Sequence, residues 1–309
     1  MNVEGVRDRG AGCLLGLALG DALGAPFEFM RATRIPVPLP ALELPWQGLP
    51  PGTTTDDTAM ARNLARSLVA AGRFDPADLV ARHLAWFRTG PPDVGSLTRR
   101  VLQRVSEGAD AEEAAEAVWR LRGPEVSAGN GSVMYCAPLG VAYAHRPREL
   151  LRVAPKLSAL THFDGRCRTA VVAVTLAIAG LVRGDPPRPA ADAAVDAVLP
   201  LEGGEELEFL IDAIGASRPV DGPDQGFCLY AAGAGLQALL REAPFERELV
   251  RVVGLGGDTD TNAAVAGALL GAAAGASSLP EPWMSRLLGR VGLESDAEAL
   301  AALALRTER

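Results

Sequence analysis

Nowhere in this chain does a run rich in Val, Ile and aromatics alternate apolar with polar residues, the period-two pattern of a half-buried strand. Apolar residues recur instead at helical spacing, punctuated by Gly and Pro. One helix is expected to start at Asp56 or Thr58, run through Met60, Leu64, Leu68 and Val69, and end at Gly72. Another begins at Asp75-Pro76, with proline at its first position, passes Leu79, Leu84 and Phe87, and stops at Gly90-Pro91-Pro92. Segments 109–121, 148–160, 163–183, 190–198, 204–214, 227–241 and 245–253 also admit helices. Ala, Leu, Gly and Val dominate and aromatics make up only 5% of the chain, which favours helices packed closely through small residues. The expected fold is all-α, a compact multi-helix domain over 1–309, without a repeat of solenoid period.

The clearest loop runs from Ile35 to Pro51 and holds prolines at 36, 38, 40, 45, 50 and 51, too many for a regular helix. It interrupts the motifs on either side, so it reads as a surface loop beside a site rather than a linker. Pro186-Pro187-Arg188-Pro189 reads as an ordinary connection. Ala11–Gly20 superficially resembles a signal peptide, but Glu4 and Asp8 acidify its front, the apolar run is short and Asp21 closes it. Asn262–Ala276 is too short to cross a bilayer, and both read as buried helices. Net charge is −8 with no basic run, which argues against binding nucleic acid through its phosphates. Cys13, Cys136, Cys167 and Cys228 are scattered without metal-ligand spacing, so buried free thiols are expected in a cytoplasmic protein with no membrane attachment. A monomer is favoured.

Two acidic clusters stand out. Thr55-Asp56-Asp57 sits at a helix start, where one capping residue would suffice; adjacent aspartates repel, and the set offers the oxygen ligands that hard divalent cations take. Asp258-Thr259-Asp260-Thr261 follows Gly256-Gly257 and leads into the apolar segment 263–276. With Asp258 still in loop conformation at the helix lip, Asp258, Asp260 and Thr261 can converge, and the glycines give the backbone freedom for it. Read together, the clusters match one oxygen-rich site for one or two metals. Mg²⁺ or Mn²⁺ fits better than zinc, since neither cluster contains His or Cys.

The chain resembles the ADP-ribosylglycohydrolase family through five motifs in family order. They are Gly16 to Glu28 (GLALGDALGAPFE), Thr55-Asp56-Asp57-Thr58, Pro92-Asp93-Val94-Gly95, Gly129-Asn130-Gly131-Ser132-Val133-Met134, and Gly257-Asp258-Thr259-Asp260-Thr261-Asn262. The resemblance implies an all-helical fold and a binuclear Mg²⁺ or Mn²⁺ site held by Thr55, Asp56, Asp57, Asp258, Asp260 and Thr261. It also implies that Glu28 contacts the metals or positions water, and that Gly129, Asn130, Gly131 and Ser132 receive the diphosphate of ADP-ribose through backbone amides. His162 matches a Thr-His pair that lines the ligand pocket, while His83 and His145 lack such context and are expected at the surface. Asp93 corresponds to an acid near the scissile end, where it can face the guanidinium of ADP-ribosylated arginine; a plain Asp in a Pro/Gly turn fits the residues equally well. The family commonly has Arg after the Met of the fourth motif, whereas this chain has Tyr135.

The implied activity is metal-dependent hydrolysis of an ADP-ribosyl N- or O-glycosidic bond in a protein or small molecule, with mono-ADP-ribosylarginine preferred. Glu28, Asp56 and Asp258 are the candidate catalytic residues, and the choice of general base stays open. A silent ADP-ribose-binding or structural relative and a metal-dependent phosphoesterase are the rival readings.

Overall fold

The structure, a computed structural model, describes residues 2–305. Its helices in chain order are α1 (Val3–Gly24), α2 (Asp56–Ala71), α3 (Pro76–Phe87), α4 (Ser96–Ser106), α5 (Ala111–Arg122), α6 (Gly131–Met134), α7 (Ala137–Ala142) and α8 (Pro147–Ala159). Then come α9 (Gly165–Arg183), α10 (Pro187–Val198), α11 (Gly204–Ala213), α12 (Cys228–Leu240), α13 (Phe245–Gly254), α14 (Thr259–Ala274), α15 (Glu281–Met284) and α16 (Arg290–Ala304). The fold is all-α, as the absence of period-two runs requires. Sequence signals act where expected: Thr55 caps α2 by accepting from the Asp57 amide, and Gly72 ends that helix at φ 70°. Asp75 caps α3 ahead of Pro76. Two helices had weaker signals. The apolar stripe of α4 is short and set among arginines, and α16 starts at Gly289 without a side-chain cap.

At the centre α1 and α14 lie antiparallel, almost backbone against backbone. Gly12, Gly16, Gly20 and Gly24, four residues apart, share one face of α1. They meet the main chain of α14 at Gly271, Gly267, Ala263 and Thr259 in turn, so closely that a β-carbon at any of them would collide with it. Helices α9, α12 and α13 cover α14, and α7 and α16 pack on α1. Both central helices are therefore apolar on nearly every side. Val3–Phe27 and Gly165–Arg183 are long and apolar enough to cross a membrane, yet 94% and 78% of their apolar windows are buried inside the fold.

The only sheet among the described residues is a two-stranded antiparallel ribbon, β1 (Met30–Arg31) with β2 (Gly256–Gly257). The Pro-rich loop is packed down by Ile35, Leu42 and Trp46, which are all buried. The four cysteines are free and buried. One expectation is corrected: His83 is not at the surface but wholly buried. It follows Leu79 by one turn on the inward face of α3, touches the Asn63 amide at 3.3 Å and meets the Tyr135 ring edge-on at 5.2 Å. Burial pushes its pKa down to about 3. His145 is likewise half-buried rather than exposed.

Candidate metal centre

The two acidic clusters meet because the N-termini of α2 and α14 are each tied to α1 or to the turn that follows it. Asp21, in the last turn of α1, accepts hydrogen bonds from the Thr55 amide at 3.0 Å, the Thr58 amide at 3.1 Å and the Thr58 hydroxyl. The Thr259 hydroxyl donates to the Gly24 carbonyl at 2.8 Å. Asp258 precedes α14 with non-helical backbone (φ −81°, ψ 75°), while Asp260 lies in the first turn. The β1–β2 ribbon closes the arrangement. Gly256 and Gly257 adopt φ 71° and 77°, and the Phe29 amide donates to the Gly257 carbonyl at 2.7 Å. Phe29 itself has φ 61°, a conformation that non-glycine residues avoid and that occurs at sites under constraint. The ribbon thereby carries Glu28 to the α14 lip.

Glu28, Asp258 and Asp260 each present a carboxylate oxygen, and these oxygens lie within 4.8 Å of one another. They open onto a cleft of about 390 Å³ that Asp56, Asp57, Asp93 and Thr261 also line, together with Gly129, Asn130, Gly131 and His162. Among the described residues, no Lys or Arg side chain lines it. Burial and mutual repulsion act together on these acids. Burial first, then the Asp93 and Asp258 charges, push Glu28 up to about 8. Burial and neighbouring carboxylates raise Asp56, Asp57 and Asp260 well above the usual carboxylate range. Burial also raises Asp93, aided by Asp258. Asp57 Oδ1 is buried without any hydrogen-bond partner, although its Oδ2 faces the Thr55 hydroxyl at 3.2 Å and the Thr261 hydroxyl at 3.5 Å. A crowd of desolvated acids with an orphaned oxygen and no basic partner is unfavourable in itself and fits a cation. The donors are all oxygen, the set that hard divalent ions take.

Several side chains named from the sequence are already engaged. Thr55 Oγ1 accepts from the Asp57 amide at 3.3 Å, so it caps α2. Asn130 Nδ2 donates to Asp258 Oδ2 at 2.9 Å, which fixes that carboxylate. The Ser132 hydroxyl lies 2.9 Å from Ser158 Oγ, whose own proton goes to the His162 carbonyl at 3.0 Å. Ser132 thus turns away from the cleft and braces the His162 backbone. Gly129 and Gly131 flank the His162 ring, and a β-carbon on Gly131 would sit 2.7 Å from its Cε1. Burial pulls the pKa of His162 down to about 4.

Sequence reasoning did not assign a role to Asp21, although a lone acid inside an apolar helix is itself a signal of a buried partner. Phe29, 58% exposed at the cleft, carried no signal beyond its place next to Glu28.

The sequence profile of the ADP-ribosylglycohydrolase family matches residues 2–309. The chain belongs to the ADP-ribosylglycohydrolase family. It is 30% identical to the ADP-ribosyl-[dinitrogen reductase] glycohydrolase of Rhodospirillum rubrum over 99% of each chain. It is 27% identical to the ADP-ribosylarginine hydrolase Tri1 of Serratia proteamaculans over 96% of this chain and 80% of that protein. The human ADP-ribosylhydrolase ARH3 is 28% identical over 90% of this chain and 88% of its own. A solved structure described as an ADP-ribosylglycohydrolase-related protein complex superposes with a TM-score of 0.79 at 33% identity, covering 98% of this chain and 100% of that one. This family member is accordingly a hydrolase, with an acidic group fit to hold a metal at its cleft.

Proposed function

We propose that this family member hydrolyses the glycosidic bond between ADP-ribose and an arginine side chain, using two Mg²⁺ or Mn²⁺ ions. The observation that carries this reading is the cluster of Glu28, Asp258 and Asp260 beside the orphaned Asp57 oxygen, on a cleft walled by Gly129–Gly131 and His162. Thr55, Asp56, Asp57, Asp258, Asp260 and Thr261 would hold the ions, with Glu28 against them. Such ions supply Lewis acidity that activates water and anchors ribose hydroxyls.

The residues of the chain divide the remaining tasks. Asn130 keeps Asp258 in a fixed orientation through its 2.9 Å hydrogen bond. With the ions bound, whose charge would lower its raised pKa, Glu28, less buried than the aspartates of the two clusters, would take the proton of the attacking water on its carboxylate. Carboxylates around the cleft stabilise the positive charge that develops on the ribose as the bond to the acceptor breaks. The backbone at Gly129–Gly131 and the His162 ring line the part of the cleft assigned to the rest of ADP-ribose.

Arginine is preferred as acceptor because Asp56 and Asp93 also line a second recess, of about 170 Å³, walled by Trp46, Trp86, Pro91 and Pro92; Arg62 lines it too, with its Nε donating to Asp296 Oδ2 at 2.7 Å. Flat apolar rings beside a carboxylate suit a guanidinium, which pairs with acids and stacks on indoles. The test is hydrolysis of ADP-ribosyl-arginine, ADP-ribosyl-serine and O-acetyl-ADP-ribose with Mn²⁺, Mg²⁺ or EDTA. ADP-ribose is expected as the product, fastest from the arginine substrate, and EDTA is expected to abolish the reaction. Release of AMP or phosphate would instead mark a phosphoesterase. Asp258→Ala is expected to lose at least about a hundredfold in kcat/KM, since it removes a metal ligand and strands Asn130; full activity in that variant would sink the metal mechanism.

A further inference from the structure

The imidazole of His162 is held from behind by a chain of hydroxyls that the metal centre does not use. His162 Nδ1 lies 2.9 Å from Thr161 Oγ1, and that oxygen lies 3.3 Å from the Tyr135 hydroxyl. All three side chains are buried, Tyr135 completely. The imidazole is neutral at ordinary pH, because burial holds its pKa at about 4. Three protons must then be placed along the chain, and three arrangements exist. In the first, Nδ1–H donates to Thr161, Thr161 donates to Tyr135, and the phenol proton has no acceptor among the described residues. In the second, Nδ1–H and the phenol both donate to Thr161, whose own proton is then left without an acceptor among the described residues. In the third, the phenol donates to Thr161, Thr161 donates to an unprotonated Nδ1, and the ring proton sits on Nε2. A buried donor without a partner bears its full desolvation penalty, so the third arrangement wins.

Nε2 faces the loop that lines the cleft. A β-carbon on Gly131 would lie 3.0 Å from it, and the glycine leaves that side open. We propose that Tyr135, acting through Thr161, fixes His162 as the Nε2–H tautomer and so makes it a neutral hydrogen-bond donor to an oxygen of the ligand beside Gly131. Tyr135 is then a positioning residue, at the place where the family commonly has arginine. The ligand chemistry is a phosphate or ribose oxygen of a nucleoside diphosphate, and that part rests on the ADP-ribose reading above. The tautomer does not.

The test has two arms on the full-length protein. In protein labelled with ¹⁵N-histidine, His162 resonances are assigned by their loss in His162→Gln. A protonated, pyrrole-type Nε2 with a pyridine-type Nδ1 is expected in the absence of ligand. Calorimetry with ADP-ribose forms the second arm. Thr161→Val is expected to mix the tautomers, to weaken ADP-ribose binding by about five- to tenfold, and to change kcat by less than about twofold. Thr161→Ser should restore both, and Tyr135→Phe should shift binding in the same direction by a smaller factor. A pyridine-type Nε2 in the wild type, or unaltered ADP-ribose affinity in Thr161→Val, overturns the proposal. Should Thr161→Val not fold, the wild-type spectrum alone decides. Failure of the wild type to bind ADP-ribose at all strikes the glycohydrolase reading, and the tautomer is then judged by its spectrum.

Discussion

Asp21 is fully buried and has no cationic partner among the described residues, yet burial raises its pKa only to about 6 because two amides and a hydroxyl of the α2 start offset the desolvation. It holds Thr55 and Thr58 in place, and through them the position of Asp56 and Asp57. Asp21→Ala is expected to leave those amides unpaired and to destabilise the protein by about 2–4 kcal/mol, with loss of activity even though Asp21 is not in the cleft. Asp21→Asn retains one acceptor oxygen, so its loss should be smaller; denaturant titration of both variants checks the order. Asp56, Asp57, Asp258 and Asp260 were legible because paired acids at two helix starts exceed what capping needs, whereas Glu28 and Asp93 came only with the family resemblance. Asp21, Ser132 and His83 were not legible as they stand. The roles of Ser132 and His83 depend on partners on other helices, Ser158 and Asn63, that no local spacing reveals.

Among the elements, α1 and α14 decide how the site is built. Their approach through Gly12, Gly16, Gly20 and Gly24 leaves no room for side chains, so a substitution there must push two helices apart. Gly20→Leu is expected to cost more than the roughly 1–3 kcal/mol of ordinary overpacking, because the obstacle is backbone rather than a movable side chain. Thermal unfolding should show a sharply lower Tm, and any folded fraction should bind divalent ions poorly. That α1 and α14 are buried was readable from residues that are apolar on all sides. Their mutual register was not, because both the four-residue glycine spacing and its partner face must be known together. Caps and prolines located α2 and α3 within a residue or two, whereas α4 and α16 lacked such signals. The β1–β2 ribbon was unreadable for a simpler reason: two residues per strand carry no periodicity.

For the molecule as a whole, the collected carboxylates are expected to couple stability to pH and to the proposed metals. Glu28 rises from 4.5 to about 8 on folding and Asp21 from 3.8 to about 6, while Asp56, Asp57 and Asp260 move the same way. Between these unfolded and folded values the native chain holds more protons than the unfolded one, so its stability falls as pH rises. In EDTA, Tm is expected to decline from about pH 5 to about pH 8. Millimolar Mg²⁺ or Mn²⁺ should reverse most of that decline, with the largest gain at the alkaline end, where the ligands are already deprotonated. A Tm that is flat with pH in EDTA would contradict the repulsion described here. The pairing of α1 with α14 also sets a timetable for synthesis. The hydrogen bond from Thr259 to Gly24 joins residues 235 positions apart. At about 5–20 residues per second on the ribosome, the first helix waits on the order of ten seconds or more for the partner that fills its glycine face. During that interval the nascent chain displays an uncovered apolar groove, and the residues proposed to hold the metals at the start of α14 arrive only with its last sixth.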